Sequence, residues 1–111
     1  MDTTANIERR SRPRVSVTLK AVVSFAGHEA EEYEAMISNL SATGARLHFE
    51  KAGPVSAGSR IGVKISIPDT VLKHVAEGEI LWVERQHNAV SLGVRFNEAL
   101  SAFMMQRLVE K

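Results

Sequence analysis

The sequence predicts an all-β protein: a six-stranded antiparallel β-barrel followed by one C-terminal α-helix. Three observations lead to this prediction. Apolar and polar residues alternate in successive short runs, which is typical of strands with one buried face. Turn-forming residues separate these runs at near-regular intervals. After Asn97 the apolar residues change to helical spacing. Short, regular strands favour a closed or nearly closed barrel, with the helix covering an open end or an edge.

The predicted strands cover residues 15–25, 33–37, 45–49, 61–67, 78–84 and 90–96. The acidic residues 29–34 are interpreted as a connection, and residues 71–75 either extend a loop or begin the fifth strand. The fifth strand is rich in apolar residues, so it is expected to be buried on both faces, with Trp82 packing in the core. The helix is predicted over residues 98–109, with Asn97 as its N-cap and Glu98 in its first turn.

The length and composition indicate one soluble domain. With 111 residues the chain can bury a core without disulfides, and it contains no cysteine. Residues 1–8 are expected to be a flexible leader and residues 9–111 the barrel domain, including a basic arm at 9–14. The chain shows no secretory signal and no apolar run long enough to enter a membrane, so a cytoplasmic monomer is expected. A net charge of +1 argues against a general nucleic-acid binder.

Positive charge is concentrated in the basic arm, Arg9-Arg10-Ser11-Arg12-Pro13-Arg14. The planar guanidinium group of arginine binds phosphate and the acceptor edge of guanine through two parallel hydrogen bonds. Because Pro13 disfavours helix in the residue before it, the arm is expected to enter the fold extended. A run of charge is more often a solvated surface segment, so the arm alone leaves both interpretations open.

A second polar segment, Asn39-Leu40-Ser41-Ala42-Thr43-Gly44, lies between two predicted strands. The amide of Asn39 and the hydroxyl of Ser41 are two residues apart and would point the same way on an extended chain. Gly44 would allow a positive φ angle or the close approach of a ligand. These groups suit the recognition of a purine edge, although the same residue types also form ordinary turns.

Taken together, the two segments resemble the paired signature of the PilZ domain family. Arg10-x-x-x-Arg14 followed by Asn39-x-Ser41-x-x-Gly44 matches the family pattern R-x-x-x-R, then D/N-x-S-x-x-G. The run from Gly78 to Val83 and the run Leu92-Gly93-Val94-Arg95-Phe96 also look like PilZ sequence, so the resemblance covers nearly the whole chain.

The resemblance implies a split-barrel fold and binding of cyclic di-GMP, a bacterial second messenger, without catalysis. Arg10 and Arg14 would contact phosphates and guanine faces, while Asn39 and Ser41 would hydrogen-bond a guanine. Gly44 would keep the turn tight, and Arg9 is expected to add a contact. Asn39 stands where many relatives have aspartate, and a neutral amide lacks the charge-assisted hydrogen bonds of a carboxylate. The binding residues expected from the sequence are Arg9, Arg10, Arg14, Asn39, Ser41 and Gly44.

The expected function is therefore that of a receptor whose arginine arm folds over the barrel when the messenger binds. The receptor would then signal to a downstream protein in motility, exopolysaccharide synthesis or virulence. Two alternatives remain open: a PilZ-like protein-interaction module that binds no nucleotide, and a barrel that binds single-stranded nucleic acid. No nucleophile–base pair indicates an enzyme, and no cofactor is expected. His28, His48, His74 and His87 lack the spacing of metal ligands and are interpreted as surface or edge residues.

Overall fold

A computed structural model describes residues 14–50 and 55–109 of the chain. The leader 1–8, the arginines Arg9 and Arg10, and the rest of the arm up to Pro13 lie outside the described residues. The described part contains six strands and a C-terminal helix, as predicted. The elements are β1 (Val15–Phe25), β2 (His28–Ser41), β3 (Gly44–Phe49), β4 (Arg60–Ser66), β5 (Lys73–Gln86), β6 (Ala89–Phe96) and α1 (Ala102–Val109).

The six strands form a closed antiparallel barrel in the order β1-β2-β3-β6-β5-β4. Strands that follow one another in sequence form most of the neighbouring pairs. Two pairings between distant strands, β3 with β6 and β1 with β4, close the ring. The predicted all-β barrel with a C-terminal helix is therefore confirmed.

The core consists of the inward-facing residues of the alternating pattern. On β1 these are Leu19, Ala21, Val23 and Phe25, all of which are buried. Phe25 packs against Phe49, with 5.9 Å between the ring centroids. Burial of one apolar face on every strand is the main stabilising contribution in a chain of this size.

Two strands begin earlier than the sequence pattern predicted. The acidic residues after Gly27 belong to β2, which starts at His28, so their interpretation as a connection was wrong. Gly27 makes the turn with a φ of 84°, and the strand pairs with β1 from the turn onwards. β5 starts at Lys73, which places the end of the ambiguous 71–75 segment in the strand. The start of β2 was missed because residues 28–32 have no buried face.

The prediction that β5 is buried on both faces was also wrong. Ile80 is fully buried, but Leu81 is 49% exposed and Trp82 is 38% exposed. The pairing with β6 shifts between Ile80 and Trp82, which leaves Leu81 as an extra residue. Trp82 pairs with Gly93 and lies on the outer surface of the barrel instead of in the core.

The helix begins four residues later than predicted, at Ala102. The hydroxyl of Ser101 accepts a hydrogen bond from the Met104 N–H at 3.0 Å, so the N-cap is Ser101 and not Asn97. The Asn97 N–H instead donates to the Glu77 carbonyl at 2.8 Å and continues the hydrogen bonding of the barrel. Leu100 and Leu108 are buried and hold the helix region against the barrel.

Candidate ligand-binding groove

The β2–β3 turn is held by the side chain of Ser41. Its hydroxyl oxygen accepts hydrogen bonds from the backbone N–H groups of Thr43 and Gly44, both at 3.2 Å. Serine commonly stabilises turns in this way, by bonding to the backbone two or three residues ahead. Ser41 is only 7% exposed, so its hydroxyl fixes the shape of the site as well as lining it.

A β-bulge places Asn39 and Ser41 on the same side of the groove. The register between β2 and β3 shifts between Ile37 and Asn39, so that Ser38 is an extra residue. Before the bulge the odd-numbered residues face the core, as Ile37 does, whereas after it Leu40 is fully buried. Without the bulge, Asn39 and Ser41 would continue the inward-facing set.

Gly44 is required by the close approach of two strands. A Cβ atom at this position would collide with the backbone carbonyl of Val94 on β6. Gly44 lies at the start of β3, and its φ angle is not positive. The glycine therefore lets β3 and β6 meet beside the turn, whereas the sequence had suggested a positive φ or room for a ligand.

These residues line an open groove of about 290 Å³ on the barrel surface. Of the six binding residues expected from the sequence, Arg14, Asn39, Ser41 and Gly44 line this groove, while Arg9 and Arg10 lie outside the described residues. The groove is formed by four of the six strands, the β2–β3 turn and the residue before β1. It is lined by Arg14, Asn39, Leu40, Ser41, Thr43, Gly44, Ala45, Arg46, Leu81, Trp82, Gly93, Val94 and Arg95.

The structure adds three large side chains to the site: Arg46, Trp82 and Arg95. The Arg46 guanidinium carbon lies 5.3 Å from the centroid of the Trp82 ring, within the range of a cation–π contact. Gly93 allows this arrangement, because a Cβ atom there would lie 2.6 Å from an indole carbon of Trp82. The sequence had predicted core packing for Trp82 and no binding role for either arginine.

A signal for two of these residues was present in the sequence. Arg46 follows Gly44 by two residues and so shares its face of the strand. Arg95 lies in the run Leu92-Gly93-Val94-Arg95-Phe96, which contributed to the family resemblance. Arg46 lies opposite Asn39 in the β2–β3 hairpin. The position of Arg95 depends on the pairing of β3 with β6, which the local pattern does not specify.

The groove has a positive electrostatic character. Three arginines line it, and no acidic residue is among its described lining residues. Arg95 pairs with Glu79 at 2.7 Å and Arg46 approaches Glu84 at 4.0 Å, both at exposed positions. Exposed ion pairs contribute little free energy, so a bound anion can compete for these guanidinium groups. The groove therefore combines anion-binding groups with an aromatic face and the amide of Asn39.

A polar cluster of Ser38, His48 and Ser91 lies on the outer surface of β2, β3 and β6, which are strands that also contribute to the groove. His48 lies 2.7 Å from the hydroxyl of Ser38 through Nε2 and 2.7 Å from the hydroxyl of Ser91 through Nδ1. Burial lowers the pKa of His48, and the positive charge of Arg46 lowers it further. His48 is thus a half-buried link between strands. In the described part of the chain, no group of three or more potential ligands could hold a metal ion.

Comparisons with known proteins identify the family. The model of the PilZ domain matches residues 8–110. No curated protein sequence matches the chain significantly. Within the described residues, no helix has the length and apolar character needed to cross a membrane.

Solved structures share the fold. The PilZ domain of YcgR from Escherichia coli, solved with c-di-GMP, has a TM-score of 0.69 and 16% identity, over 90% of this chain and 86% of that one. The inhibitor of motility MotI/DgrA from Bacillus subtilis has a TM-score of 0.67 and 16% identity, over 90% of this chain and 48% of that one. PlzA from Borreliella burgdorferi, in complex with c-di-GMP, has a TM-score of 0.54 and 16% identity, over 94% of this chain. The chain spans less than half of the length of MotI/DgrA and PlzA, 48% and 42% respectively.

Proposed function

Because the chain belongs to the PilZ domain family, we propose that it binds cyclic di-GMP in the groove between the β2–β3 turn and Trp82. The observation that carries this proposal is the convergence of Arg14, Asn39, Ser41 and Trp82 on one groove without an acidic lining residue. A guanine nucleotide presents phosphates, a flat aromatic base and a polar base edge, and the groove offers a complementary group for each. The c-di-GMP bound to the YcgR domain and to PlzA supports the same ligand class.

Each group in the groove has a chemically distinct role in the proposal. Arg14, together with Arg9 and Arg10 of the arm, neutralises the phosphates. Trp82 provides a stacking face for a guanine, and Arg46 can contribute a second planar cation next to it. The amide of Asn39 can donate to and accept from the guanine edge. Ser41 and Gly44 maintain the turn that holds Asn39 in place.

The proposed output is a receptor function without catalysis. Arg14 directly precedes β1 and lines the groove, and in this proposal the arginines before it in the sequence close over the bound messenger. The ordered arm and the covered groove would form a new surface for a downstream protein, an order–disorder mechanism of signalling. We propose a cytoplasmic location and outputs in motility, exopolysaccharide synthesis or virulence.

Isothermal titration with cyclic di-GMP tests the proposal. The wild-type chain is expected to bind, and Arg14→Ala is expected to weaken binding at least about tenfold because it removes a charge-assisted contact to phosphate. Arg60→Ala is the matched control, since Arg60 is exposed on β4 and does not line the groove. Both variants are expected to melt at the wild-type temperature.

A folded sample that does not bind at about 1 mM ligand would contradict the proposal and favour the interaction module without nucleotide. Equal affinities of the two variants would show that Arg14 is not part of the site. Tight binding of single-stranded DNA or RNA in a parallel mobility-shift measurement would instead favour the nucleic-acid-binding barrel.

A further inference from the structure

Among the described residues, 28–35 of β2 pair on one side only. They form hydrogen bonds with β1, from the pair His28–Phe25 to the pair Ala35–Ala21. On the opposite side, the pairing with β3 begins only at Met36, and no other described residue pairs with this part of the strand. Every second residue of an unpaired strand edge directs its backbone N–H and C=O groups outward.

The side chains along this edge are acidic. Glu29, Glu31, Glu32 and Glu34 all lie within this part of the strand and are exposed. Glu32 pairs with Lys64 of β4 at 2.9 Å, an exposed ion pair of small free energy for which a cation of the partner can compete. Exposed charges on a free edge oppose pairing with an identical edge, because like charges directly across two strands are destabilising. The edge is therefore poorly suited to pairing with its own copy, and it is complementary to a strand that carries basic side chains.

An open groove runs beside the edge. It has a volume of about 780 Å³, and residues 32–36 of β2 and 48–50 at the end of β3 form part of its lining. Lys20 and Lys73 also line it, so the acidic character belongs to the β2 edge and not to the whole groove. On the outer face, Glu32, Glu34 and Met36 alternate with the more buried Tyr33 and Ala35. Met36 is 38% exposed and is the apolar group at the inner end of this row. An added strand would have its side chains next to the carboxylates along most of its length and next to Met36 at one end.

We propose that residues 28–35 of β2 bind an extended basic segment of a partner protein, which joins the barrel as an additional β-strand. Backbone hydrogen bonds to the free edge provide the binding, and the charge of Glu32 and Glu34 selects lysine or arginine at alternate positions. An apolar residue of the segment packs on Met36. The surface lies on the same strand as Asn39 and Ser41 but outside the nucleotide groove, and it does not depend on the proposed function.

A synthetic eight-residue peptide of alternating lysine and valine is the probe, measured by fluorescence anisotropy with the full chain in the absence of nucleotide. Two further peptides carry N-methyl groups on either the odd-numbered or the even-numbered residues. Only one of these two sets of N–H groups faces the edge in an added strand. One methylated peptide is therefore expected to lose affinity about tenfold or more, and the other to bind as the parent does.

Charge reversal on the protein provides the second comparison. Glu32→Lys combined with Glu34→Lys is expected to weaken binding of the parent peptide about tenfold or more. The matched control is Glu77→Lys combined with Glu98→Lys, which changes the net charge equally at exposed positions away from the edge and is expected to stay within about twofold of wild type. Amide exchange is expected to slow in residues 28–35 when the peptide binds.

Three results would each overturn the proposal: no binding at about 1 mM peptide, equal affinities of the two methylated peptides, or equal losses in the two charge-reversal proteins. Equal affinities would mean that charge attraction alone holds the peptide, without a new strand. A chain that binds cyclic di-GMP but not the peptide would leave the proposed function intact and remove this one.

Discussion

Gly93 shows how a residue without a side chain can control the candidate site. The missing side chain leaves room for the Trp82 ring to lie across β6, where it approaches Arg46. Trp82 pairs directly with Gly93, and Gly93 pairs with Arg46 on the next strand. The aromatic face of the groove therefore depends on three neighbouring positions from three strands, and any Cβ atom at the glycine would collide with the ring.

We expect Gly93→Ala to displace the Trp82 ring and to weaken cyclic di-GMP binding about tenfold, since stacking on an aromatic side chain is worth about 1–3 kcal/mol per base. The fluorescence of the only tryptophan in the chain reports the displacement, and titration reports the affinity. Gly62→Ala is the control, because its Cβ atom would meet only the Ser24 hydroxyl, at 3.1 Å. Unchanged fluorescence and affinity in Gly93→Ala would show that the ring position does not matter.

His48 makes stability depend on pH. Its pKa is lowered in the folded chain, chiefly by burial, so below the ordinary value of 6.5 the unfolded chain binds the proton more readily. The contribution of His48 is therefore fully present above that pH and is lost as the pH falls towards the lowered pKa. We expect the melting temperature to fall between about pH 7 and about pH 5.

Replacement of His48 by glutamine tests this assignment. The His48→Gln variant is expected to show a smaller decrease in melting temperature over the same pH interval, since the titrating group is gone. His28→Gln, at an exposed position, is the matched control and is expected to keep the wild-type pH dependence. A variant with the full wild-type dependence would assign the effect to other groups.

At the scale of elements, the bulge in β2 determines which residues enter the groove. It converts one inward-facing series, which contains Ile37, into another, which contains Leu40. The strand therefore contributes core residues on both sides of the bulge and still presents Asn39 outward. The second bulge, in β5, has an equivalent effect on Trp82. Both bulges lie next to the groove, where such irregularities commonly occur in β-sheets.

Deletion of Ser38 is expected to remove the bulge and to keep the orientation of the residues after it. Ile37 and Leu40 would then be two residues apart, so both would still face the core and Asn39 would still face outward. We therefore expect the deletion variant to bind cyclic di-GMP and to lose no more unfolding free energy than Ser38→Ala, which also loses the contact with His48. Urea unfolding and titration measure the two effects. Loss of binding in the deletion variant alone would show that the extra residue itself, and not only the alternation of inward and outward residues, positions Asn39.

At the scale of the whole molecule, barrel closure assembles the site. The groove takes residues from β2, β3, β5 and β6, and Arg14 from just before β1. The pairing of β3 with β6 brings Gly44 next to Arg95 and Arg46 next to Gly93, although these pairs are far apart in the sequence. The net charge of the chain is only +1, so the positive groove results from the local placement of arginines.

This placement predicts a salt-dependent affinity for cyclic di-GMP. Added salt screens the attraction between the arginines and the phosphates, because the screening length falls from about 10 Å at 0.1 M to about 3 Å at 1 M. We expect affinity to fall several-fold over this interval in titrations. Guanosine, which has the base without phosphate, is the control ligand and is expected to bind weakly and independently of salt. A salt-independent affinity for cyclic di-GMP would point to stacking as the main contribution.

Much of the fold was determined by the sequence alone. Strands with one buried face must alternate apolar and polar residues, and this local rule identified the barrel and its six strands before any contact was known. The rule failed where a segment has no buried face, as in residues 28–32 of β2. The start of the helix was also misplaced, because Asn97 continues the hydrogen bonding of the barrel and Ser101 caps the helix. Residue types and spacing likewise singled out Arg14, Asn39, Ser41 and Gly44.

Only the tertiary structure decided the rest of the groove. Trp82 and Arg95 join the site because β3 pairs with the distant strand β6 in one particular register. The same register brings Trp82 to Arg46 across Gly93. The two bulges then turn Asn39 and Trp82 outward. A local pattern contains the period of a strand but not its partner, and a single inserted residue reverses every orientation that the period predicts. The sequence thus determines which chemical groups the groove contains, and the pairing of the strands determines where those groups lie.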